Sequence, residues 1–251
     1  PRRVLERKPS LIFAVGTDAA RLIKDHYANL PPSQRVPVVF ALVIDPIEQG
    51  LIQSAERSGT RFAGVALTLR PQRQFQALRD VAAQASRVGV IYNPNDRASQ
   101  RLLALAREDA GRMGLSLVEA HAAEPKQLPS ALQTLEGKID ALWLVPDPVC
   151  AGAEPFQQIL RWTQARKIPL IAFAERFVRD GALMGVGVDF AEQGALAAEQ
   201  AIQILQGEEP ETLPLLAPRR VLIYYNLQTA RTLGVAIHET LLNLARKVYD
   251  P

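Results

Sequence analysis

The sequence predicts an α/β architecture built on doubly wound parallel sheets, and three observations carry that expectation. Short apolar or β-branched runs alternate with longer amphipathic stretches along the whole chain. Most of those runs are apolar throughout rather than at every second position. A strand covered by helices on both faces has no solvent side, so it loses the polar positions an exposed strand keeps. Finally, no apolar run approaches the ~18–20 residues of a membrane span.

The first runs are LIFAV (11–15), VPVVFALV (36–43) and RFAGVAL (61–67). RVGVIY (87–92), LSLVEA (115–120) and IDALWLV (139–145) follow. IPLIAFA (168–174), ALMGVGV (182–188) and RVLIYY (220–225) complete the set. Between them, Ser99–Met113 carries leucines and alanines at 102, 103, 105, 106 and 110 as one stripe, with arginines and acids opposite. Gln193–Leu205 repeats the pattern with alanines and isoleucines, and Gly207 closes it. Nine strands is large for one open sheet. Breaks near Thr68–Pro71 and Val188–Phe190 suit a division into two lobes.

Composition narrows the function classes. The chain has 251 residues, 48% of them hydrophobic, enough for a substantial core. Its 29 basic residues are scattered among 26 acidic ones for a net charge of +3, which offers nucleic acid no localised basic face. The single Cys150 excludes an internal disulfide and a cysteine metal cluster. His26, His121 and His238 lie away from strand ends, so a histidine triad or metal site has no support. Neither GxGxxG after a strand nor GxxxxGK[ST] occurs, so no nucleotide cofactor is expected. Pro1 stands where a leader or a Met would, which implies a leader removed or a chain cut.

In open α/β sheets ligands collect beyond the carboxyl ends of the strands, so the polar residues there are the candidates. After the first run comes Gly16-Thr17-Asp18-Ala19-Ala20, where Thr17 opens a helix whose free N–H groups attract a carboxylate. A plain cap explains Thr17 as readily. Asp45-Pro46 after the second run reads first as a helix start and second as a ligand contact. Asn93-Pro94, with Ser99 in the next helix, reads first as a turn and helix entry. Asp147, between Pro146 and Pro148 after a buried run, leans towards function. Glu175, after Ile171-Ala172-Phe173-Ala174, could meet a ligand ammonium or cap a helix. Asp189 closes the next strand and reads equally as a cap.

The loops share an order with a known family. They run Gly16-Thr17-Asp18-Ala19-Ala20, then Pro37-Val38-Val39-Phe40 through Asp45-Pro46 to Gly50-Leu51, then Arg87-Val88-Gly89-Val90 with Tyr92-Asn93-Pro94 and Ser99. Lys138-Ile139-Asp140-Ala141 to Asp147, Lys167-Ile168-Pro169 and Gly187-Val188-Asp189 with Gly194 follow. Leu205-Gln206-Gly207-Glu208 and Asn226-Leu227-Gln228-Thr229-Ala230 with Leu233-Gly234 close the series. Single motifs are weak and the ordered set is strong. In it the chain resembles the periplasmic substrate-binding components of ABC transporters that include tryptophan- and other aromatic-amino-acid-type binders.

The resemblance implies a type I periplasmic-binding fold of two lobes, with a small zwitterion such as an amino acid in the cleft and no catalysis. It implies lobes of 1–68 with 189–208 and of 69–188 with 209–251. Thr17, Asp18 and Ala19 would meet a ligand carboxylate with the Asp45 loop beside them, while Asn93, Ser99, Asp147 and Glu175 would face them. ABC permease subunits are the implied membrane partner, and the implied location is periplasmic or extracytoplasmic, with a lipid anchor as one option. The family begins with a strand, a helix and a second strand before the segment that starts here at Arg2, so the first lobe is expected to lack its leading β-α-β, about 50 residues by ordinary element lengths. Pro148-Val149-Cys150 replaces a polar Asn-Thr pair, and Ala63-Gly64 replaces Thr-Gly, so a drier cleft is expected. A sensory module on the same fold is the alternative. An enzyme using Asp45, Asp147 or Glu175 as acid or base is a distant third.

Overall fold

The structure, a computed structural model, describes residues 2–67 and 69–250. In chain order the first elements are α1 (Arg2–Leu5), β1 (Ile12–Val15), α2 (Thr17–Tyr27), β2 (Val38–Val43), β3 (Phe62–Ala66), α3 (Pro71–Val81), β4 (Arg87–Tyr92) and α4 (Arg97–Arg112). Then come β5 (Ser116–His121), α5 (Leu128–Leu135), β6 (Ala141–Trp143), α6 (Ala153–Ala165), β7 (Leu170–Ala172), α7 (Glu175–Arg179) and β8 (Met184–Val188). The last are α8 (Phe190–Leu205), β9 (Val221–Asn226), α9 (Leu227–Leu233), α10 (Glu239–Leu244) and β10 (Lys247–Tyr249). They form two compact units, Pro1–Thr68 with Val188–Arg220 and Leu69–Gly187 with Val221–Pro251.

The first unit holds a parallel sheet in the order β1-β2-β3. On one face α2 packs Ala20, Ile23 and Tyr27 over Ile12, Ala14, Val38 and Phe40. On the other, α8 lays Leu196, Ala197 and Ile204 over Val39, Ala41, Ala63 and Val65. The parallel register pairs Phe13 with Val39 and Val15 with Ala41, so those two β1 side chains share the α8 face. Yet α8 packs on β2 and β3, and Phe13 and Val15 stay 44% and 57% exposed. Among the described residues β1 is therefore an edge strand with one bare apolar face.

The division differs from the expected one at Val188, which falls in the first unit, and in one longer stretch. Residues 209–220, assigned to the second lobe from the sequence, pack in the first unit. Backbone hydrogen bonds hold them there: Ser58 N to Leu213 O at 2.9 Å, Leu215 N to Ala55 O at 2.8 Å and Leu216 N to Gly64 O at 3.0 Å. The stretch runs alongside β3, through a bridge of Val65 to Leu216.

The second unit holds seven strands in the order β10-β9-β8-β7-β6-β4-β5. The ladders β4–β5, β4–β6, β6–β7, β7–β8 and β9–β10 are parallel. Helices α3 and α4 cover one face with Phe75, Leu78, Leu103 and Ala106 against Val88, Val90 and Trp143. Helices α5 and α6 cover the other with Leu128, Leu132, Phe156 and Ile159 against Ile91, Leu142 and Leu144. Gln74 of α3 is buried and bonded at both ends of its amide: it donates to Val186 O at 3.1 Å and accepts from Trp143 Nε1 at 2.5 Å. No helix of the described residues is long and apolar enough to cross a membrane.

Candidate functional site

In the first unit the carboxyl ends of β1 and β2 come together at Thr17. Gly16 adopts φ +87°, which turns the chain sharply from β1 into α2. Gly16 has no side chain to cap α2, so the N–H groups of the first turn, those of Thr17, Asp18 and Ala19, lack intrahelical acceptors. Thr17 Oγ1 faces sideways instead and accepts from Ile44 N at 3.1 Å. That bond fixes the β1–α2 turn to the end of β2. Asp18 is exposed in the first turn, where its charge suits the helix dipole.

The end of β2 is irregular. Its register shifts between Phe40 and Val43, and Leu42 and Asp45 take φ of +59° and +46°. Asp45 Oδ1 accepts from Glu48 N at 3.2 Å, the start signal expected from Asp45-Pro46. No helix follows, however. Gly50 at φ +62° ends the segment after a single turn, with Gly50 N bonded to Ile47 O at 2.8 Å.

In the second unit Asn93, Ser99 and Asp147 converge. Asp147 is buried, 1% exposed, and both carboxylate oxygens are engaged. Oδ2 accepts from Asn93 N at 2.7 Å and from Ser99 Oγ at 2.8 Å, while Oδ1 accepts from Val149 N at 2.8 Å and Cys150 N at 3.1 Å. Asn93 Oδ1 accepts from Asn95 N at 2.9 Å, and Asp96 caps α4 by accepting from Ser99 N at 2.8 Å. Burial, then the nearby Asp147 charge, pushes the Cys150 thiol up, so it stays protonated.

Glu175 opens α7 at the carboxyl end of β7, and one of its carboxylate oxygens meets β10. Tyr249 donates to Oε1 at 2.6 Å and Lys247 Nζ lies 3.6 Å away, both from β10. The Tyr249 hydrogen bond, with smaller help from Lys247, holds the Glu175 pKa below the ordinary carboxylate range. Asp189 caps α8, accepting from Ala191 N at 2.9 Å.

One polar group at strand ends escaped the sequence reading, and it includes His121, which ends β5 although no histidine was expected at a strand end. Tyr92, the last residue of β4, donates to Glu119 Oε2 at 3.1 Å, with His121 Nε2 3.2 Å from its oxygen. Arg107 grips the same Glu119 with two bonds of 2.7 Å. Burial foremost, then Glu119, raises the Tyr92 pKa. Tyr92 beside Asn93-Pro94 was the available signal; its partners on β5 and α4 were not visible in spacing.

Comparison with known proteins places this geometry among relatives. A family described as ABC transporter substrate binding protein matches residues 1–249. A tyrosine-binding protein of Clostridioides difficile (strain R20291) is 27% identical over 228 residues, 91% of this chain and 64% of that protein. The chain thus spans less than two thirds of that relative. Among solved structures, an ABC domain in complex with L-Trp from Streptococcus pneumonia is similar, with a TM-score of 0.79 at 22% identity over 98% of this chain and 81% of that one. A ligand-free, open substrate binding protein with adhesive properties from Clostridium difficile gives 0.82 at 24% identity over 99% and 81%. A periplasmic ribose ABC transporter protein from Conexibacter woesei gives 0.59 at 17% over 94% and 79%. These likenesses fix the fold as the type I periplasmic one, with two lobes.

Proposed function

As this chain belongs to the ABC transporter substrate binding protein family, we propose that it captures a free amino acid with an aromatic side chain outside the cytoplasmic membrane and passes it to an ABC permease. The observation that carries this reading is the family match over residues 1–249, joined to a tyrosine-binding relative aligned over 91% of the chain. The local chemistry supports it. The uncapped first turn of α2 offers the N–H groups of Thr17, Asp18 and Ala19 to a carboxylate. Asp18 and Asp45 set negative charge at the same strand ends, suited to an ammonium. Asn93 and Ser99 stand at the corresponding end of the second unit's sheet. The family is one of binding proteins, and the role needs no bond to be made or broken.

Calorimetric titration of the intact protein against the twenty amino acids tests the reading. Stoichiometric binding of tyrosine, tryptophan or phenylalanine is expected, and silence across the panel overturns it. Deletion of the gene should abolish uptake of the bound amino acid; unchanged uptake with binding retained would overturn the transport half and favour a sensory role.

A further inference from the structure

We propose that Asp147 is the positioning residue of the second unit's ligand-facing rim: it holds two loops in register and does not itself touch the ligand. This rests on the proposed amino-acid binding for its affinity arm alone.

The geometry argues as follows. A carboxylate has about four acceptor sites, and four donors fill those of Asp147. Two are local: Pro148 supplies no N–H, so the amides of Val149 and Cys150 fold back onto Oδ1. Two are distant in sequence: Asn93 N stands 54 residues away and Ser99 Oγ 48. The β4–α4 turn and the β6–α6 turn are thereby pinned to one buried anion. An isolated buried charge is costly, and hydrogen bonds to an ionised acceptor are the strong kind that offset it. At 1% exposure, a ligand ammonium could reach this carboxylate only by displacing one of its donors. The resemblance set Asp147 facing the ligand; its geometry makes it the post to which Asn93 and Ser99 are tied.

Two variants test the role. Asp147→Asn replaces one acceptor oxygen with a donor that must face either the Asn93 and Ser99 pair or the Val149 and Cys150 pair. Ser99→Ala removes a single bond and keeps the fold if Asp147→Asn does not. Each is titrated with L-tyrosine and with 3-(4-hydroxyphenyl)propanoate, the same molecule without its ammonium. The expected result is a rise in Kd of about tenfold or more, by the same factor for both ligands, with the fraction of active molecules unchanged. A loss confined to L-tyrosine would make Asp147 a direct ammonium contact and overturn the proposal. Fewer active molecules at unchanged Kd would leave it a stability residue and overturn it too. Hydrogen exchange without ligand tests the pinning of the two loops separately from the proposed binding. The amides of Asn93, Val149 and Cys150 should lose protection while the interiors of β4 and β6 keep theirs; unchanged protection at those three overturns it.

Discussion

The phenol of Tyr249 donates to Glu175 Oε1 across 2.6 Å, so the last strand of the second unit fastens the residue that opens α7. Lys247 stands 3.6 Å from the same oxygen, and its ammonium lies 4.7 Å from the Tyr249 ring centroid.

Removing that phenol should loosen β10 in a pH-dependent way. Glu175 has its folded pKa depressed, so its contribution is present above the unfolded value near 4.3 and is lost as pH falls through the folded one. The carboxylate is partly exposed, which limits the effect to about 1 kcal/mol or less. Tyr249→Phe should lower Tm slightly at pH 7, with the difference from wild type shrinking as pH drops below about 4. Thermal melts from pH 3 to 7 check it; a difference that does not vary with pH refutes it.

Asp140 ties the amino ends of β4 and β6, far along the strands from the Asp147 rim. Its Oδ2 accepts from Ser86 N at 3.0 Å and Arg87 N at 2.8 Å, and its Oδ1 from Arg87 Nη2 at 2.6 Å. Arg87 foremost, with those amides, holds its pKa far below the usual range. Its contribution is thus present above about pH 4 and persists into strong acid before it is lost. Asp140→Asn should cost about 1–3 kcal/mol in denaturant melts at pH 7. Ligand affinity should not move, and a large affinity loss would refute this separation of roles.

Gly64 has no room for a side chain. Its register partner on β2 is Phe40, and a Cβ there would collide with the Phe40 carbonyl oxygen and ring. Phe40 is fully buried, so nothing yields cheaply. Gly64→Ala should destabilise by roughly 2–4 kcal/mol, read as a shift in denaturant midpoint. A change under about 0.5 kcal/mol would show that the strands part more easily than this spacing implies.

The bare face of β1 should be visible to an apolar probe. Phe13 and Val15 lie exposed beside one another's register neighbours on an edge strand, a combination that attracts other apolar surfaces. The 251-residue chain should enhance the fluorescence of a hydrophobic dye, and Phe13→Lys with Val15→Lys should remove most of the enhancement while leaving the circular dichroism intact. Equal dye binding by both chains would place the apolar surface elsewhere.

The nine strands and their parallel sense were legible because a strand covered by helices writes an apolar run, whereas the two lobes came from the order of the loop motifs. Strand β10 was not legible, because Lys247-Val248-Tyr249 is three residues at a sheet edge and leaves no run to read. The same omission hid what Glu175 meets. Thr17 and Ala19 could be placed at a helix start from Gly16 alone, since a tight turn followed by a helix is a local pattern. The Asp147 network could not be placed so: the residues that fill its oxygens lie 48 and 54 positions away. Two flanking prolines made it conspicuous without showing what it held. The packing of 209–220 on the first unit was hidden for a similar reason, because backbone bonds to Ser58, Ala55 and Gly64 have no signature in side-chain type.

Neither unit is a continuous piece of the chain, since the backbone passes from one to the other after Thr68, Gly187 and Arg220. On the ribosome this imposes a schedule. The strands of the sheet β1-β2-β3 emerge before the second unit does, yet one face of that sheet stays bare until α8 arrives more than 120 residues later. The second unit must in turn wait for β9 and β10 before its far edge is paired. Contacts of such long sequence separation slow folding and leave apolar surface open during synthesis. No single cut in the gene therefore separates the two units, since a fragment that holds one whole unit also carries part of the other, and a chaperone that shields β2 and β3 during that interval should raise the yield of native protein.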